Sequence, residues 1–215
     1  MRSVQRGEWP TGNNGSRISF QPYQKAKDHL IERIGEYCSY CERCGDLAVE
    51  HVIPKSKAEN LETEWSNLLL GCVNCNSRKS NKNNSRDGYL WPDCDDTFNA
   101  FVYHESGRVS VNEGLAGDEH HKASALFDLV GLGAEGTSMD KRQRKRREAW
   151  NTAAKYRDSI HDDNSADKSR EIEIRELAIK NALGIGFFSV WMTVFHDDED
   201  MRQRLTEAFA GTRTG

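Results

Sequence analysis

This 215-residue chain has no excess of positive charge: 30 Lys and Arg stand against 34 Asp and Glu, a formal −4. That balance excludes a generically basic, histone-like coat for nucleic acid and leaves room only for a local basic patch. A membrane-spanning run is also lacking. The longest apolar stretch, Phe187 to Phe195, is broken by Ser189 and Thr193 and falls short of the ~20 residues that cross a bilayer. The polar start carries no apolar signal-peptide core. These absences predict a soluble, cytoplasmic protein with reduced thiols. Internal repeats are missing too, and at roughly 100–200 residues per domain the length predicts one domain, or a small one with an attached lobe. Hydrophobic residues make up only 36% and mean hydropathy is −0.80, so part of the chain needs support other than an apolar core.

What the chain does have is a cluster of cysteines. Cys38, Cys41, Cys44, Cys72 and Cys75 fall close together and only Cys94 stands apart. In a reduced setting, two facing Cys-x-x-Cys pairs form the pattern of a tetrahedral structural zinc site, because each turn aims two thiolates at one ion. Zinc would supply folding energy that a short polar segment cannot obtain by burial. A redox reading needs a single such pair in a strand-to-helix setting. The register stays open: either Cys38/Cys41 or Cys41/Cys44 can face Cys72/Cys75. Tyr40, as aromatic filler, favours the first, and Gly45 fits a plain turn after Cys44.

Residues 1–20 show little apolar periodicity and predict a flexible arm, with Trp9 as an anchor. Tyr23, Ala26, Leu30, Ile31 and Ile34 follow helical spacing and Gly35 stops them. Leu47–Val49, running into Glu50-His51, and Leu68–Leu70 read as two strands around a polar loop, with a helix over 76–81. Phe98–Tyr103 and Val109–Val111 flank a Glu-Ser-Gly turn and predict a β-hairpin. Residues 112–138 predict loops around a short element at 123–130. From 140 onward, Ala149, Trp150, Ala153 and Ala154, then Ile174, Leu177, Ala178 and Ala182, predict helices, with two more at 186–196 and 198–210. Phe187, Phe188, Val190, Trp191 and Phe195 read as core of that lobe.

Between the cysteine pairs lie Glu50-His51-Val52-Ile53-Pro54-Lys55, then Asn67, then Cys75-Asn76-Ser77-Arg78-Lys79. Each piece alone has an ordinary structural explanation. Together they bring a base, hard oxygen donors and phosphate-binding cations into one short stretch.

In its acid-His pair, middle Asn, third polar residue and cysteine framing, the segment 37–82 resembles the HNH endonucleases, the ββα-metal family, in the subgroup with a four-cysteine zinc ribbon. The resemblance implies that His51 is the general base, that Glu50 and Asn76 bind a catalytic divalent ion, and that Asn67 fixes the long loop and so orients the base. It implies a ββα-metal HNH core with a four-cysteine zinc ribbon (residues 21–90, with its leading helix), and with the β-hairpin and loops (91–138) and the α-helical C-terminal lobe (139–215) read from the residue patterns, the expected fold is α+β. Glu50 stands where Asp is frequent in the family, and Asn76 where many members have His. Lys55, Arg78 and Lys79 are expected to meet DNA phosphates.

These roles also make chemical sense. Successive strand residues face opposite ways, so Glu50 and His51 serve one site only if the strand ends or bulges there, and Pro54 fits such an ending. Neutral imidazole accepts a proton at cytoplasmic pH. Carboxylate and amide oxygens suit Mg²⁺ or Mn²⁺ better than Zn²⁺.

A wider resemblance runs through Cys-Ser-Tyr-Cys-Glu at 38–42, Val-Glu-His at 49–51, Gly-Cys-Val-Asn-Cys-Asn at 71–76, Tyr-Leu-Trp-Pro at 89–92 and Asp-Leu-Val-Gly-Leu at 128–132. It is similar to the HNH subunit that accompanies an ATPase in Septu-type and retron-linked antiphage systems, and implies phage defence with an ATPase partner. The run Lys141 to Arg147 holds six cations, open to a solvated face, DNA contact or partner docking. The acidic run Asp197–Asp200 is open to pairing with it or to starting the last helix. The expected function is metal-dependent cleavage of DNA phosphodiesters. The alternative is an inactive zinc-ribbon regulatory or nucleic-acid-binding subunit.

Overall fold

The computed structural model describes residues 1–133, 141–161 and 168–213. The boundary expected at 138/139 and the end of the loop over 112–138 lie outside these residues.

Helix α1 (Ala26–Ile34) buries Ala26, Leu30 and Ile34, one side chain per turn, and stops at Gly35, whose φ of 74° suits glycine. Strands β1 (Leu47–His51) and β2 (Leu68–Cys72) pair antiparallel, with Leu47 opposite Cys72 and His51 opposite Leu68. All five residues of β2 are buried. Its three leucines join Leu30 and Ile34 of α1 in one hydrophobic core. Helix α2 (Val73–Lys79) follows β2 with no loop, Cys72 serving as its N-cap residue. It therefore begins three residues before the predicted 76, because the second Cys-x-x-Cys turn is itself helical.

Strands β3 (Phe101–Tyr103) and β4 (Val109–Val111) form the expected hairpin as a separate two-stranded sheet. Helix α3 (Gly117–Val130) is longer than the short element predicted. Asp118 and Glu119 favour its N-terminus, Ala123, Leu126, Leu129 and Val130 are buried, and left-handed Gly131 ends it. The helical lobe consists of α4 (Arg142–His161), α5 (Lys168–Ile185), α6 (Phe188–Val194) and α7 (Glu199–Ala208). It packs around Ala153, Ala178, Ala182, Phe188, Trp191, Phe195, Met201 and Leu205. Asp198 caps α7 by accepting from Met201 N at 2.9 Å. It also pairs with Arg175 at 2.6 Å, so the acidic run starts the last helix.

Residues 1–20, expected to be a flexible arm, pack at several points on the rest of the chain. Met1, Arg2, Ser3, Val4 and Phe20 are buried. Val4 bridges to Thr212, and Arg6 donates to the carbonyls of Leu68 and Ser66 and pairs with Asp93. Trp9 stacks on Phe20, which stacks on Trp65. The arm is held by backbone and guanidinium hydrogen bonds and by isolated aromatics, none of which produces an apolar period.

Candidate functional site

The sulfurs of Cys38, Cys41, Cys72 and Cys75 lie within 4.8 Å of one another, and all four residues are buried. Zn–S bonds of about 2.3 Å in a tetrahedron place sulfurs about 3.8 Å apart, and Cys41 Sγ to Cys72 Sγ is 3.6 Å. The donor set fits structural zinc. Cys44 is excluded by the knuckle's own geometry. Cys38 N donates to Arg43 O and Glu42 N to Cys38 O, with Glu42 in the left-handed region at φ 64°. Cys44 then bridges back to Tyr37. Hydrogen bonds from the other three thiols hold Cys72 far below the ordinary thiol range. Burial, first of all, pushes Cys41 up, and hydrogen bonds to the neighbouring thiols push Cys75 up. A dication would supply the charge that lets all four ionise. Arg142 adds to it by donating to Cys75 Sγ at 3.2 Å.

Glu50 lies one strand away. It is 3% exposed and carries two partners: Lys79 Nζ at 2.7 Å from Oε1 and Tyr40 Oη, donating to Oε2 at 2.5 Å. Lys79 Nζ also donates to His51 O at 2.7 Å. Burial pushes the Glu50 carboxyl up from its ordinary value, and Lys79 and Tyr40 pull against that rise. A Cβ on Gly71 would come 3.0 Å from Glu50 Cβ and 3.8 Å from Asn76 Cβ, so this glycine lets the two side chains flank one point. A carboxylate offers about four lone-pair directions, and two are used here. The remaining ones, with the Asn76 amide oxygen, are the hard donors that could hold a divalent cation here.

Lys79 does not stand where a phosphate could meet it. It is 1% exposed, because it follows Cys75 by one helical turn and shares its inward face. Lys79→Met should cost about 3–5 kcal/mol of stability by leaving Glu50 buried and unpaired. Adding Glu50→Gln should recover part of that loss in urea unfolding.

His51 ends β1, and Val52 N donates to Asn67 O at 2.8 Å beyond it. Its Nε2 lies 2.9 Å from Glu62 O. A carbonyl only accepts, so Nε2 carries the hydrogen and Nδ1 keeps the lone pair. Burial lowers this imidazole below its ordinary value; Lys55 and Lys79 act the same way, against Glu62. Asn67 staples the loop before the strand: Oδ1 accepts from Ile53 N, and Nδ2 donates to Ile53 O and Leu61 O. Leu61 adjoins the Glu62 carbonyl that holds His51. Lys55 is exposed and pairs with Glu62 at 3.0 Å. Arg78 packs against Gly131, where a Cβ would come 2.5 Å from Arg78 Cδ.

The basic run splits in two. Arg142 and Arg146 are buried, holding the carbonyls of Val130, Gly131 and Gly107. Lys141, Arg144, Lys145 and Arg147 are exposed, and Arg144 and Lys145 pair with Glu148. Tyr40, Glu62 and Tyr23, which packs on His51, carry no site signature in sequence. Only Tyr40 leaves a trace, as the aromatic inside a Cys-x-x-Cys turn.

The Septu protein PtuB of Bacillus thuringiensis is 33% identical over 87 residues, which span 38% of this chain and 33% of that protein. The match thus covers about a third of the relative's length. A family model described as HNH endonuclease matches residues 38–82. That stretch holds all four clustered cysteines together with Glu50, His51, Asn67 and Asn76, and it gives the chain an HNH endonuclease segment.

Proposed function

We propose that the protein is a metal-dependent HNH endonuclease that hydrolyses DNA phosphodiester bonds, as the effector of an antiphage complex with an ATPase in the cytoplasm. The observation that carries the reading is the 2.9 Å contact between His51 Nε2 and the Glu62 carbonyl, which sets the tautomer of the neutral ring. With Nε2–H on the Glu62 carbonyl, Nδ1 can take a proton from water. The water oxygen then attacks phosphorus in line, and the bond to the leaving 3′-oxygen breaks. Asn67 keeps the loop, and hence Glu62 O, in place. Glu50 and Asn76 would hold Mg²⁺ or Mn²⁺, which when bound supplies charge stabilisation for the phosphate and leaving oxygen. Lys55, in the turn that follows His51, and Arg78, on α2 with Asn76, suit the phosphate backbone.

The partner rests on the likeness to a Septu protein. Among the described residues, no helix is long and apolar enough to cross a membrane. Lys79 on Glu50 favours a second reading, a catalytically silent zinc-ribbon subunit. A plasmid assay separates the two. Supercoiled DNA should be nicked or linearised with Mg²⁺ or Mn²⁺ and left intact in excess chelator. Intact plasmid with both ions, even after addition of the ATPase, would support the silent subunit.

The exposed cations of α4 give a further test. Changing Arg144, Lys145 and Arg147 to Gln should weaken DNA binding and flatten its salt dependence by about 0.9 in log–log slope for each phosphate that is no longer neutralised. An unchanged slope with weaker ATPase association would make this face a protein-docking surface.

A further inference from the structure

Tyr23 lies outside the HNH-matched segment, in a 3₁₀ turn (Tyr23–Lys25) that leads into α1. Its ring nevertheless packs on the His51 imidazole, with centroids 4.5 Å apart and planes at 66°. Three other interactions close a circuit around that imidazole. His51 Nε2 bonds the Glu62 carbonyl, the Glu62 carboxylate pairs with Lys55 at 3.0 Å, and Lys55 Nζ lies 5.0 Å from the Tyr23 ring centroid. One residue, Glu62, thus serves with both its backbone and its side chain.

A single hydrogen bond to Nε2 fixes one atom of the ring and leaves its plane free to turn about that bond. The Tyr23 ring removes that freedom, because any rotation would break an edge-to-face packing of near-optimal spacing. Its own position is firm, since α1 buries Ala26, Leu30 and Ile34. The Lys55–Glu62 side is different. Both side chains are exposed, 51% and 39%, so a DNA phosphate can draw Lys55 from Glu62 at little cost while the carbonyl and Tyr23 still hold the base.

We infer that Tyr23 is a positioning residue for His51, setting the plane in which Nδ1 meets the attacking water, and that the segment before the zinc knuckle is part of the nuclease site. The inference deepens the endonuclease reading and rests on it. The packing uses the ring and not the hydroxyl, for which no hydrogen bond is seen among the described residues.

The test compares Tyr23→Ala, Tyr23→Leu and Tyr23→Phe in the full-length zinc protein. Turnover on DNA with Mn²⁺ should fall about 10- to 100-fold for Ala and Leu with KM little changed, the scale expected of a misplaced reacting group. Tyr23→Phe should restore turnover to within a few-fold of wild type. NMR relaxation of the His51 ring should report one rigid orientation in wild type and Tyr23→Phe, and added ring motion, seen as broadened ring signals, in Ala and Leu, with the Nε2–H tautomer kept in all of them. Unchanged ring signals in Ala and Leu, or turnover in Phe as low as in Ala, would overturn the positioning role. The spectra read Tyr23 without DNA cleavage: silent wild-type protein whose His51 signal still depends on the Tyr23 ring would sink the nuclease reading and keep the positioning.

Discussion

Protein with serine at both Cys72 and Cys75 is expected to emerge without zinc and without a cooperative unfolding transition for the first two-thirds of the chain. The cluster joins the knuckle at Cys38 and Cys41 to the β2–α2 junction, two pieces separated by a long polar loop. Structural zinc contributes about 10–16 kcal/mol in small zinc-finger domains, as much as a whole domain's net stability. The damage would spread along identifiable hydrogen bonds. Tyr40 sits between Cys38 and Cys41 and donates to Glu50, and Glu42 beside Cys41 receives Ser189 N and Oγ from α6. Arg142 would be left without its thiolate partner at Cys75. Metal analysis after mild chelation should give about one zinc per wild-type chain and none per variant. A variant that melts like wild type would remove the zinc from the account.

The second large effect is catalytic. His51→Ala should slow cleavage by roughly 10²- to 10⁴-fold, the usual contribution of a general base, while zinc content and fold persist. Among the described residues, the His51 ring is held by Glu62 O and Tyr23 and not by the cysteine cluster, so removing it leaves the staple alone. The pH dependence follows in sign. Protonation removes the Nδ1 lone pair, and burial lowers the imidazole below its ordinary 6.5. The wild-type rate should therefore stay level from pH 8 to 7 and fall only below the usual histidine midpoint.

Much of this arrangement is legible in the sequence because its spacing is chemical. Two Cys-x-x-Cys pairs name a metal, β1 and β2 announce themselves by apolar runs, and Asn67 falls where a loop must rejoin a strand. The choice of Cys38 over Cys44 is legible only in part, through Tyr40 as aromatic filler, and the left-handed backbone at Glu42 is what turns Cys44 away. Lys79 misleads for a related reason. Charge suggests solvent, but a lysine one turn after a buried cysteine shares its face, and here it meets a buried carboxylate. The N-terminal residues stay hidden because they bind by hydrogen bonds to carbonyls at 66, 68 and elsewhere. Helix α3 hides among glycines, although Ala123, Leu126 and Val130 have the right spacing. Tyr23 reads as one more apolar helix position, since nothing in sequence ties residue 23 to residue 51.

The most direct test of the account is cleavage by matched preparations of wild type and His51→Ala, each holding one zinc and binding the same DNA with equal affinity, measured under single turnover with saturating Mn²⁺. The account predicts a wild-type rate at least ~100-fold above that of the variant. Equal rates in the two proteins would contradict it and remove His51 as the base.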